Sequence, residues 1–155
     1  MPCPRPRWFR WWFFPVTEVV HSGDELFAGG GLYTWVTYLG GSRISINRFV
    51  SATVVGVVSI TIAAWLARKR YDWLLFALAA ILVANALSHL AGSLVTGSYS
   101  PGTVSGLVLW LPLGGAVLYR GFTRNCVAVW FLGLVVGLAM NAAIVMLTIH
   151  LGRMP

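Results

Sequence analysis

Acidic residues are scarce in this chain. Its 155 residues include four Asp and Glu against eleven Lys and Arg, and charged residues of either sign make up only 10 %. An average soluble domain carries roughly 25 %, so a globular domain with an ordinary solvated surface is excluded. Cysteine is nearly absent as well: Cys3 and Cys126 lack metal-ligand spacing, which removes a cysteine-based zinc site and a disulfide framework. No internal repeat is evident, so a solenoid or array is excluded. The formal net charge of +7 would point to nucleic acid in a soluble protein. Here the basic residues lie at the ends of apolar runs, where membrane topology accounts for them, and no nucleic-acid partner is expected.

What is present is apolar. Hydrophobic residues make up 58 % of the chain. Four runs, 50–67, 73–96, 102–119 and 126–149, approach or exceed the ~20 residues that cross a hydrocarbon core, and they are apolar all round rather than on one face. A fifth candidate, 8–27, contains Arg10, Pro15 and most of the acids. It reads as a retained first helix rather than a cleaved signal peptide, because the apolar run is broken early and acids follow it. The fold expected is all-α: a single transmembrane domain over 1–155, a polytopic bundle of about five helices. Residues 28–47, opening with Gly29-Gly30-Gly31 and closing with Gly40-Gly41-Ser42, are expected to form an interfacial or re-entrant segment on the outer side.

Five spans divide the cations unequally. Arg5, Arg7, Arg10, Arg68, Lys69, Arg70, Arg120 and Arg124 fall on one side, and Arg43, Arg48 and Arg153 on the other. The positive-inside rule then puts the N-terminus in the cytoplasm. Trp8, Trp11 and Trp12 beside arginines read as an interfacial anchor. Pro112, inside the fourth span, is expected to bend it. Small residues four apart (Gly102/Gly106, Gly133/Gly137, Ala84/Ser88/Gly92) read as close helix packing.

Three of the four acids, Glu18, Asp24 and Glu25, lie within eight residues of one another, with His21 among them. Ionisable groups inside a membrane segment are costly and mark a site. Residues three and four apart share a helix face, so Glu18, His21 and Glu25 form one stripe. Asn85 and His89 form another in the third span. At 1.5 Å per residue, His21 and Asn85 both lie ~20 Å from the inner face, and Glu25 and His89 ~25 Å. Asn141 reaches a similar depth, and Tyr99, Ser100 and Thr103 would sit just above. Matched depth points to one buried polar site. Asp72 reads as a helix N-terminal acid, and His150 as a solvated end residue.

His21-Ser22-Gly23-Asp24-Glu25, Asn85-Ala86-Leu87-Ser88-His89 and Tyr99-Ser100-Pro101-Gly102-Thr103 together resemble the small bacterial membrane proteins named for their HXXEE motif. The order and spacing agree through roughly residues 10–120. The resemblance implies a bacterial inner membrane location and points to these residues as a site. Position 24 is Asp where the family has Glu.

The chemistry expected is acid/base catalysis by His21, Glu25, Asn85, His89, Asp24 and Tyr99. It would act on a hydrophobic terpenoid, polyketide or lipid by isomerisation, cyclisation or epoxide opening. Glu25 and His21 form the proton-transfer pair, His89 is a second acid/base or polarising group, and Asn85 orients it. No cofactor is required in that reading. The alternatives are a divalent metal (Zn or Fe) on His21, Glu25 and His89 supporting hydrolysis, a proton or small-solute transporter, and an accessory membrane subunit. The partners expected are the lipid bilayer and a hydrophobic small molecule.

Overall fold

The computed structural model describes residues 11–69, 72–123 and 127–151. The expectations resting on Cys3, Arg5, Arg7, Trp8, Arg10, Arg70, Arg124, Cys126 and Arg153 lie outside them. Five principal helices follow one another: α1 (Phe13–Phe27), α2 (Ile46–Lys69), α3 (Asp72–Thr96), α4 (Thr103–Thr123) and α5 (Val127–Leu151). No strand occurs among the described residues. Helices α2 to α5 are each long and apolar enough to cross a membrane. Helix α1, at 15 residues, is shorter than the ~20 that a full crossing takes.

Local chemistry sets these boundaries. Pro15 lies in the first turn of α1, where its missing N–H has no intrahelical partner to lose. The helix ends before three consecutive glycines with positive φ (56°, 83° and 85° at Gly29, Gly30 and Gly31), a region that residues with a Cβ avoid. Arg68 and Lys69 occupy the last turn of α2 and Asp72 the first turn of α3. Both placements suit the helix dipole.

Helix α3 is the centre of the bundle and packs extensively on both α4 and α5 and less on α2, while α1 lies against α2. Glycines permit the closest approaches. A Cβ on Gly137 would meet the Ala77 carbonyl oxygen at 2.4 Å, and one on Gly114 would meet that of Ala79 at 2.6 Å. The apolar core is built on α3, with Phe14, Ala64, Trp110 and Val117 packing in from α1, α2 and α4. Helices α2 and α5 turn most of their apolar surface outward: Val54, Val55, Val58 and Ile62 on α2, and Phe131, Leu138 and Met146 on α5, are exposed. Outward apolar faces on helices of this length make the protein a polytopic membrane bundle.

Residues 28–45 fold over one end of the bundle as short turns (Ala28–Gly30, Leu32–Trp35, Val36–Leu39) followed by irregular chain. Leu32, Trp35, Val36, Ile44 and Phe49 form a small second core there. The Trp35 ring lies on Gly92 of α3, and its indole N–H donates to Ser98 Oγ at 2.9 Å. The segment therefore covers the end of α3 that carries His89.

Candidate functional site

Helical spacing in α1 places His21 and Glu25 on one face. Helix α3 brings His89 to the same point. The His21 Nε2 atom lies 3.5 Å from Glu25 Oε1, and His89 Nε2 lies 3.2 Å from the same oxygen. The two imidazoles meet edge to face, with ring centroids 5.1 Å apart. Both histidines are buried, His21 to within 1 % of full burial.

The loop between α3 and α4 and the first turns of α4 complete the site. Gly102 (φ 95°) turns the chain directly over the two rings: a Cβ there would lie 2.9 Å from Cε1 of each histidine. The turn delivers Ser100, whose Oγ is 3.1 Å from His89 Nδ1, and Ser105, whose Oγ is 2.8 Å from His21 Nδ1. Helix α4 then widens into a π turn over Gly106–Trp110. Pro112 follows it, and its missing N–H cannot bond back to the carbonyl four residues earlier. The expected disturbance at Pro112 thus takes the form of a wide turn on its N-terminal side. That turn carries Trp110, whose ring stacks on His21 at 3.5 Å between centroids.

Asp24 stands one layer out. Its Oδ2 accepts from the Ser105 backbone N–H at 3.0 Å and from Ser105 Oγ at 2.7 Å, and its Oδ1 accepts from Tyr99 Oη at 3.2 Å. The Ser105 hydroxyl therefore has two acceptor-only neighbours, the Asp24 carboxylate and the Gly102 carbonyl at 3.2 Å. Its single hydrogen goes to one of them, so the contact with His21 runs the other way: His21 Nδ1–H donates to Ser105 Oγ. A neutral His21 then carries a bare lone pair on Nε2, aimed at Glu25. That nitrogen makes no hydrogen bond among the described residues, although it is buried. Partial burial and the Asp24 carboxylate push the Tyr99 phenol above its ordinary range.

The residues expected at the site thus divide. His21, Glu25 and His89 converge on one point. Asp24 and Tyr99 join through hydrogen bonds, and the Asp at position 24 reaches Ser105 despite being one methylene shorter than Glu. Asn85 is half-buried one turn before His89; its side chain makes no hydrogen bond among the described residues. Asn141 donates from Nδ2 to Ser88 Oγ at 3.4 Å, an interhelical bond on the α3 face that meets α5, and its Oδ1 is buried without a partner among the described residues. Glu18 is buried, with Oε2 unpartnered among the described residues and Oε1 close to Gly56 of α2. Ser105 and Trp110 were not expected. Neither stands out as a Ser or a Trp within an apolar run; their only signal is proximity to the Tyr99–Thr103 segment.

A family model described as "protein of unknown function with HXXEE motif" matches residues 12–117, from the start of α1 into α4. Searches of curated proteins and of solved structures yielded no match. The matched region holds every group of the site just described, and the chain belongs to this HXXEE-motif family.

Proposed function

We propose that the protein is a small membrane enzyme that performs acid/base chemistry on a hydrophobic metabolite at the His21/Glu25/His89 cluster. The observation that carries this reading is the buried Nε2 of His21, without a hydrogen-bond partner among the described residues and 3.5 Å from a carboxylate oxygen shared with His89. A neutral imidazole whose Nδ1–H is held by Ser105 is a base at Nε2. A carboxyl group beside it can take or return the proton. Asp24 acts as a positioning residue: through Ser105 it fixes the tautomer that leaves Nε2 free. His89, held by Ser100, is the second proton-transfer group.

The surroundings favour a lipophilic substrate. The cluster lies within a bundle whose outer faces are apolar, beneath the 28–45 segment. Water is scarce in such surroundings, which protects charged intermediates of isomerisation, cyclisation or epoxide opening. The Trp110 ring beside His21 offers a π face to developing positive charge. Its indole N–H is buried and unpartnered among the described residues, and it supplies a donor for a substrate oxygen. Arg68, Lys69 and Arg120 lie at the helix ends far from the site, which favours an inner-membrane topology with the site in the outer half and the N-terminus in the cytoplasm.

The test is a metabolite comparison between the parent strain, a deletion strain, and deletion strains carrying the wild type, Glu25→Gln or His89→Ala. A lipophilic compound that accumulates in the deletion strain is expected to disappear only with the wild type. Full complementation by both variants would reject the assignment.

A further inference from the structure

The arrangement of lone pairs at the cluster has a second consequence. His21 Nε2 and Glu25 Oε1 are both acceptors when the imidazole is neutral, yet they face each other at 3.5 Å, His21 buried and Glu25 partly buried. Two facing lone pairs repel unless a proton or a cation lies between them. We infer that His21 Nε2, His89 Nε2 and Glu25 Oε1 form a binding site for one divalent transition cation such as Zn²⁺, in place of the proton.

Distances support a cation as well as a proton. Zinc binds nitrogen and oxygen ligands at about 2.0–2.1 Å, so the edge of a tetrahedral ligand set is about 3.4 Å. The two edges that meet at Glu25 Oε1 are 3.5 and 3.2 Å, and all three ligand atoms lie within 4.8 Å of one another. Two imidazoles and one carboxylate are a set suited to zinc and its neighbours. The outer layer is also that of a metal site. Each histidine turns Nδ1 to a serine hydroxyl, and Asp24 anchors one of those serines. Ligating histidines are oriented in this way. Gly102, which has no side chain, lets the chain close over the ligand atoms on one side: a Cβ there would lie 3.0 Å from His89 Nε2.

The cation site stands on geometry alone. Its consequence for activity rests on the function proposed above: cation and catalytic proton use the same lone pairs, so an added divalent cation inhibits.

The experiment is a Co²⁺ and Zn²⁺ titration of the full-length, tag-free chain in detergent, read by the visible absorption of tetrahedral Co²⁺, by elemental analysis after desalting, and by the shift in thermal unfolding. One cation per chain and a raised unfolding temperature are expected. Glu25→Gln and His89→Ala should abolish both, while His150→Ala, at the exposed end of α5, leaves them intact. Asp24→Asn should weaken binding by about 10- to 100-fold, the usual effect of an outer-layer partner. Glu25→Gln preserves shape, and its unfolding curve without metal shows whether it is folded. No binding by the wild type, or binding that survives Glu25→Gln and His89→Ala, overturns the cation site and leaves the acid/base reading in place. A metabolite conversion that needs the cation and stops with chelator overturns the acid/base reading and leaves the cation site in place.

Discussion

Gly102→Ala tests the placement of the loop over the imidazoles. Two separate costs apply. The first is conformational: φ is 95° at Gly102, and a non-glycine residue held in such a region costs about 1–3 kcal/mol. The second is steric. The new methyl would sit 2.9 Å from Cε1 of His21 and of His89. Both rings are buried and held at Nδ1 by serines, so neither can swing away freely. Overpacking of this kind costs about 1–3 kcal/mol. The sum is about 2–6 kcal/mol. For a chain of this size each kcal/mol moves the unfolding midpoint by roughly 2–4 °C. Two further glycines separate the terms. Gly97 has φ 63° and open space around its Cβ position, so Gly97→Ala carries the conformational cost alone. Gly115 has open space and lies inside α4 without positive φ, so Gly115→Ala is neutral or stabilising by up to about 1 kcal/mol. The assay is thermal unfolding in detergent, with Zn²⁺ binding as the local readout. Gly102→Ala should be the least stable of the three and the only one to lose the cation. Equal midpoints for Gly102→Ala and Gly97→Ala, with binding intact in both, would show that the rings do not lie under this loop.

Three further outcomes are expected. Gly137→Val places a branched side chain where a single Cβ already meets the Ala77 carbonyl oxygen at 2.4 Å. It should separate α3 from α5 and lower the unfolding midpoint more than Gly115→Val. Asn141→Leu removes one long hydrogen bond and an unpartnered buried acceptor. Ser88 Oγ keeps its bond to the Ala84 carbonyl at 2.8 Å, so no donor is stranded and stability should change by less than about 1 kcal/mol, measured in the same unfolding assay. Tyr99→Phe deletes the half-exposed hydrogen bond to Asp24 and should cost about 0.5–1.5 kcal/mol. It leaves both Ser105 bonds to Asp24 in place, so cation affinity should fall far less than in Asp24→Asn.

The membrane fold was legible because the signal is additive. Long apolar runs with few charges state their length and their solvent without reference to one another, and each of the four longest falls on a helix of α2 to α5. Helix α1 was harder to read. Its acids and Pro15 interrupt the hydropathy, and its described length is 15 residues. Part of the site was legible for a similarly local reason: a four-residue interval puts His21 and Glu25 on one face of any α-helix. Counting residues along separate helices then gave depth, and depth correctly brought His89 to Glu25. The same count brought Asn141 to that level without deciding whether it lines the site; its bond to Ser88 is the interhelical hydrogen bond that a lone Asn in a span ordinarily makes. Depth is one coordinate, and rotation about the helix axis is the other. Asn141 reaches Ser88, on the α3 face toward α5, and not His89 one residue later.

Ser105 shows where sequence reasoning stops. Nothing in Thr-Val-Ser-Gly-Leu marks one hydroxyl as the link between a carboxylate and an imidazole. The link exists because Gly102 turns the chain back at φ 95° and starts α4 with its second polar residue facing α1. A glycine in a loop is ordinarily a statement about the backbone. Here it also decides which nitrogen of His21 carries the proton, because only that path presents Ser105 Oγ to Nδ1 and to Asp24 at once. It follows that Ser105→Ala and Gly102→Ala damage the cluster by different routes. The serine variant keeps both rings in place and frees Nδ1, so His21 can turn its proton toward Glu25. It should retain stability to within about 1–2 kcal/mol while losing most of the affinity for Zn²⁺. The glycine variant should lose both. A Ser105→Ala chain that binds Zn²⁺ as tightly as the wild type would mean that tautomer control does not reside in the Asp24–Ser105 pair.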